Sequence, residues 1–106
     1  MKSPACLFLV LALSLSGAAY AEQDAAWGKA KKIVNATCIS CHGADGVSAA
    51  ANWPHLAGQK AAYLEKQMIA FRDGTRKNPV MMNMIGGLDD DTIKALARYY
   101  ASQPQP

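Results

Sequence analysis

The chain has 106 residues, a formal net charge of +3 and three cysteines, and 51% of its residues are apolar. At roughly 100–200 residues per domain this allows one domain, which excludes a multidomain enzyme and any barrel or doubly wound fold of about 200 residues or more. Lys29, Lys31 and Lys32 form a small basic cluster, but there is no long basic run and no interleaving of basic with aromatic residues, so nucleic acid is not an expected partner.

Lys2, the apolar run Leu7 to Leu13, and small residues ending in Ala19-Tyr20-Ala21 follow the order of a secretory signal. Ser14 and Ser16 interrupt the run, which falls short of the roughly 20 apolar residues that span a bilayer. Residues 1–21 are therefore expected to be a cleaved signal peptide, with 22–106 as a periplasmic domain that has no membrane span. Cys6 precedes the apolar run, where a lipidated Cys would follow it, and has no expected role. Losing 21 of 106 residues, Lys2 among them, leaves 85 residues and lowers the charge from +3 to +2. A domain of that size buries only around 60% of its unfolded surface and usually needs a staple or a large apolar cofactor.

The mature chain has helical periodicity and no alternating pattern long enough for a sheet. Asp24 can cap a first helix that puts Trp27, Ala30, Ile33 and Val34 on one face, projects the three lysines to solvent and ends near Ala36. A second helix is expected at about Ala61 to Arg72, where Leu64, Met68 and Phe71 recur at i, i+4 and i+7 and Asp73-Gly74 forms the stop. A third has Asp89 as N-cap and Asp90 and Asp91 in its first turn, with Leu88 placed to staple onto Ile93. Ile93, Leu96, Ala97 and Tyr100 line its inner face until Pro104 forbids continuation. Irregular stretches at about 43–59 and 74–88 are too much loop for so small a core, and loops of that length usually carry function or wrap something.

Cys38-Ile-Ser-Cys41-His42 is C-x-x-C-H, the attachment signature of c-type haem. Two thiols three residues apart can each form a thioether with a haem vinyl group, and the adjacent imidazole then projects onto the iron. A disulfide between them would close too small a loop to stabilise much. A thioredoxin-like pair would follow a strand, and none is expected before Cys38. A structural zinc site would need a second ligand pair, which is missing. His and Met together suit an electron-transfer haem, and Met81, Met82 and Met84 all precede the last helix. The chemistry alone does not choose among the three, and those not on the iron are packing residues.

The chain resembles the small class I bacterial cytochromes c, most closely single domains of the cytochrome c4 and c553 kind, over nearly all of residues 24–102. The matching residues are Cys38-x-x-Cys41-His42-Gly43, Asp45-Gly46, Asn52-Trp53-Pro54-x-Leu56-Ala57-Gly58-Gln59, Tyr63-Leu64-x-x-Gln67, Phe71-x-Asp73-Gly74, Met81-Met82-x-Met84, Leu88-Asp89-Asp90 and Ala97-x-Tyr99-Tyr100-Ala101. The resemblance implies an all-α fold of about three main helices, with long loops wrapped around one haem c held through Cys38 and Cys41. It implies His42 and Met81 as iron ligands, Met82 and Met84 as packing residues, and the Pro54 carbonyl as acceptor for the His42 Nδ1 proton. The family often has Gly where this chain has Ala30, at the crossing of the first and last helices.

The function implied is one-electron transfer without enzymatic chemistry. Trp53, Leu56, Leu64, Met68, Ile93, Leu96 and Tyr100 are expected to exclude water from the haem, while Arg72, Arg76, Lys77 and Trp53 are candidates for its propionates. The implied partners are redox proteins such as a terminal oxidase, a reductase or a periplasmic dehydrogenase, with the chain a monomer or weak homodimer. Two alternatives remain: a haem peroxidase or gas sensor with an open or displaceable sixth ligand, and the electron-accepting subunit of a periplasmic dehydrogenase. His55 is read as a surface residue with no role.

Overall fold

A computed structural model describes residues 14–106; Lys2, Cys6 and the run Leu7 to Leu13 lie outside the described residues. Helices account for nearly all its regular structure, and no strand occurs among the described residues. The first helix, α1 (Ser14–Ile33), begins well before the expected cap at Asp24, which lies inside it. The segment Ala18 to Ala26 holds five alanines, the best helix formers, and no proline, so nothing in it stops the helix.

Nor does the helix end near Ala36. It passes through a π turn, Val34–Cys38, into a final α-helical turn, α2 (Ile39–His42). The backbone N–H of Ile39 reaches the carbonyl of Val34, five residues back, so the turn holds one residue more than an α-helical one. The chain leaves the helix at Gly43, whose φ of 80° is costly for a residue with a Cβ.

α3 (Ala61–Asp73) ends at Gly74 as expected and buries Leu64 and Phe71. The stretch 74–88 is not all loop, because α4 (Pro79–Ile85) occupies its centre. Asn78 caps α4 through Oδ1, which accepts from the N–H groups of Val80 and Met81 at 3.1 Å each, and Pro79 stands at the first helical position, where its missing N–H costs nothing.

α5 (Asp90–Ala101) is capped by Asp89, whose Oδ1 accepts from the Thr92 N–H at 2.8 Å. It packs against both α1 and α3 and forms the middle of the fold. Ala30 of α1 and Val34 of the π turn meet Ala95, Leu96, Ala97 and Tyr100 of α5 and Leu64 of α3 in one cluster, with Leu88 and Met68 partly buried against it. Ala30 has no exposed surface, and with Ala95 and Ala97 buried in the same cluster, side chains stay small on both helices. Trp27 and Tyr99 extend the contact with ring centroids 5.6 Å apart, while Lys29, Lys31 and Lys32 are exposed as expected.

The stretch 43–59 is irregular but tightly tied. The Gly46 carbonyl accepts from Leu56 N–H at 2.7 Å and Ala57 N–H at 3.1 Å, and Gly58 N–H donates to the Tyr100 carbonyl at 2.9 Å. Gly46 has a φ of 77°, and a Cβ there would lie 2.7 Å from Tyr100 Cδ1 and 2.8 Å from Ala57 N. Only glycine lets this loop approach α5 so closely.

Candidate functional site

Cys38 ends the π turn, and Cys41 and His42 lie on α2, so all three are carried on one continuous helix. They line a cavity of about 840 Å³ between that helix end, the 52–59 loop, α3, α4 and α5. Both thiols are free and half-buried, and burial pushes the Cys38 thiol above its ordinary pKa. His42 is 8% exposed, and its Nδ1–H donates to the Pro54 carbonyl at 2.9 Å. That bond fixes the ring and leaves Nε2 free to act as a ligand.

α4 supplies another wall. Met81 and Met84 line the cavity, whereas Met82 does not. Three thioethers thus become two. Met81 is half-buried and Met84 is 39% exposed in the protein alone, and both stand where they can pack against a group in the cavity. Short helices turn about 100° per residue, which sends neighbouring side chains to different faces.

Leu56, Leu64, Met68, Leu96 and Tyr100 give the cavity the expected apolar lining. Ile93 is fully buried but belongs only to the core, and Trp53 lines the cavity while remaining 42% exposed. Of the candidate cations, only Arg76 reaches the cavity; it donates to Gln67 Oε1 at 2.8 Å and sits 4.5 Å above the Phe71 ring. Arg72 is engaged elsewhere, with Nη1 2.6 Å from Asp90 Oδ1 and 3.2 Å from the Leu88 carbonyl, and Lys77 does not line the site. His55 is exposed, as expected, but it also lines the cavity, and its Nδ1 accepts from Ser48 N–H at 2.8 Å.

The residues suit a haem. Two thiols, an imidazole and thioethers face one apolar space, whose volume falls in the range of about 300–1,000 Å³ typical of cofactor and ligand sites. The buried Tyr100 hydroxyl on its lining has no hydrogen-bond partner, and burial pushes its pKa upward. Tyr63, Val80 and Trp53 on the lining are exposed in the protein alone.

Residues 25–99 match the family described as cytochrome c oxidase, cbb3-type, subunit III. Cytochrome c-554(548) of Halomonas halodenitrificans is 46% identical, across 76% of this chain and 96% of its own length. The chain is a class I c-type cytochrome. As such it carries one haem c through Cys38 and Cys41, with His42 as an iron ligand. Cytochrome c4 of Pseudomonas aeruginosa is 47% identical over 90% of the chain but only 46% of its own length. The thiosulfate dehydrogenase electron acceptor of Thiomonas intermedia is 42% identical over 87% of the chain and 42% of that protein. The solved cytochrome c4 of Acidithiobacillus ferrooxidans superposes with a TM-score of 0.67 at 32% identity, covering 74% of this chain and 49% of that one. With cytochrome c-554(548) as an exception, the cytochrome thus spans about half the length of these relatives.

Proposed function

We propose that this cytochrome is a periplasmic one-electron carrier in which His42 and Met81 are the haem iron's two axial ligands. The observation that carries the reading is the shared cavity: the C-x-x-C-H end of α2 and Met81 of α4 line one apolar space, and Met82 does not. The haem, when bound, supplies the one-electron couple. The protein's residues anchor and orient it and keep water from it. Cys38 and Cys41 hold it at the end of a helix buried against α5, and the Pro54 carbonyl fixes the His42 ring. Leu64, Met68 and Leu96 exclude water from the space around it, and a drier site favours the less charged reduced state. A fixed ligand set means little rearrangement accompanies the electron.

Cleavage after Ala21 belongs to the same reading. Residues 17–25 are all exposed, the first partly buried side chain is Ala26 and the first fully buried one is Ala30, so removal of residues 1–21 takes no described residue from the core. No helix among the described residues is long and apolar enough to cross a membrane.

A second reading places the cytochrome as electron acceptor of a periplasmic dehydrogenase. It is supported by the similarity to an electron acceptor of thiosulfate dehydrogenase. The chemistry on this chain would be unchanged; a stable complex with the dehydrogenase, or its co-purification, separates this role from that of a free carrier.

The test is the visible absorption spectrum of the exported protein, oxidised and reduced, with carbon monoxide added to the reduced form. A low-spin c-type spectrum unmoved by the gas is expected. Ready binding of carbon monoxide would overturn the Met81 assignment in favour of an open-site sensor or peroxidase, and absence of covalent haem would overturn the reading altogether.

A further inference from the structure

We propose that His55 is a positioning residue that holds the Pro54 carbonyl in place for the His42 ring. The inference rests on the reading of His42 as an iron ligand, and adds to it the device that aims its hydrogen bond.

Pro54 is exposed and has no N–H with which to anchor itself, so its neighbours must set the direction of its carbonyl. On the N-terminal side, Trp53 N–H donates to the Ala50 carbonyl at 3.2 Å, and Ala50 N–H donates to Ser48 Oγ at 3.1 Å, which in turn donates to the Ala50 carbonyl at 3.0 Å. On the C-terminal side, Leu56 N–H donates to the Gly46 carbonyl. Between these ties the peptide linking Pro54 to His55 has no backbone anchor of its own.

The His55 ring supplies one. Its Nδ1 accepts from the backbone N–H of Ser48, a buried residue, across the loop at 2.8 Å. A ring that accepts at Nδ1 carries no proton on that nitrogen. The two imidazoles therefore work in opposite senses. His42 donates through Nδ1 to the carbonyl of Pro54, and His55 accepts through Nδ1 to hold the same peptide still. A hydrogen bond on the far nitrogen of a ligating imidazole raises its basicity. A freely moving carbonyl would weaken that bond, make the ring a poorer donor to the iron and disfavour the oxidised state.

The test uses the wild-type holoprotein and two variants. In the wild type, NMR should show a scalar coupling across the hydrogen bond between the Ser48 amide nitrogen and His55 Nδ1; its absence would overturn the proposal without any variant. In His55→Ala, the haem content and low-spin spectrum should persist, the His42 Nδ1 proton should exchange with solvent about fivefold faster, as expected for loss of one hydrogen bond, and the reduction potential should rise. His55→Asn should restore both, because Asn Oδ1 is an acceptor bonded to Cγ as Nδ1 is. Wild-type exchange and potential in His55→Ala, or failure of Asn to restore what Ala loses, would overturn the inference. A wild-type protein without low-spin covalent haem would instead overturn the ligand reading beneath it.

Discussion

Leu96→Ala and Ile93→Ala remove three carbons each from α5 at sites 1% and 0% exposed, but Leu96 lines the cavity and Ile93 does not. At about 0.8 kcal/mol per buried CH₂, the lost burial costs about 2.4 kcal/mol in either variant. An unrelaxed cavity adds up to about 2.6 kcal/mol, since such truncations cost about 2–5 kcal/mol in total. A domain of this size loses about 4–8 °C in Tm per kcal/mol, so a loss of 3 kcal/mol corresponds to about 12–24 °C. The two variants should therefore melt at similarly lowered temperatures when followed by circular dichroism. Their redox behaviour should differ. Leu96→Ala opens the haem space to water and should lower the reduction potential in a potentiometric titration, whereas Ile93→Ala should leave it near wild type. Equal shifts of potential in both, or a loss below about 1 kcal/mol in either, would refute the division of α5 into a core stripe and a cavity stripe.

Met81→Ala should let the reduced protein bind carbon monoxide and lower its potential, while Met84→Ala should keep a six-coordinate spectrum; the reverse pattern would assign the ligand to Met84. Gly46→Ala places a Cβ against Tyr100 and Ala57 at positive φ and should cost about 2–4 kcal/mol, read as a lowered urea midpoint. The Thr92 hydroxyl and backbone N–H beside Asp89 hold its carboxyl below the usual carboxylate range. A depressed folded-state pKa contributes stability that is present at neutral pH and lost as pH falls through that value. Asp89→Asn keeps a capping acceptor and should flatten this acid dependence in thermal melts, whereas Asp89→Ala should lower Tm at neutral pH as well. An acid limb as steep in Asp89→Asn as in the wild type would show that the cap charge is not its source.

The cofactor and its attachment could be read from five consecutive positions, because Cys38, Cys41 and His42 act through local spacing on one turn of chain. The cap at Asp89 and the stop at Gly74 were equally legible, since caps and stops depend on neighbours in sequence. α4 left a fainter trace. Its Asn78-Pro79 start was present, but seven residues with three methionines show no clear apolar period, and the stretch read as loop. Asp24 does not start α1, because it caps a helix only where one needs to begin, and the alanines before it let the helix run through.

Which methionine faces the haem space, which arginine reaches it and what His55 does were decided by packing across the chain. Met81, Met82 and Met84 are chemically alike, and only the docking of α4 beside α3 turns Met81 and Met84 toward the cavity and Met82 off it. Arg72 and Arg76 are four residues apart on and just beyond one helix, yet Asp90 of α5 engages the first and leaves the second for the site. The bond from Ser48 to His55 exists because Gly46 draws the loop back against α5. Local residue types thus determined the helices, the attachment motif and the cofactor. The long-range approach of α4, α5 and the 43–59 loop decided which side chains surround that cofactor, because side-chain direction in a short helix or loop is set by what packs against it.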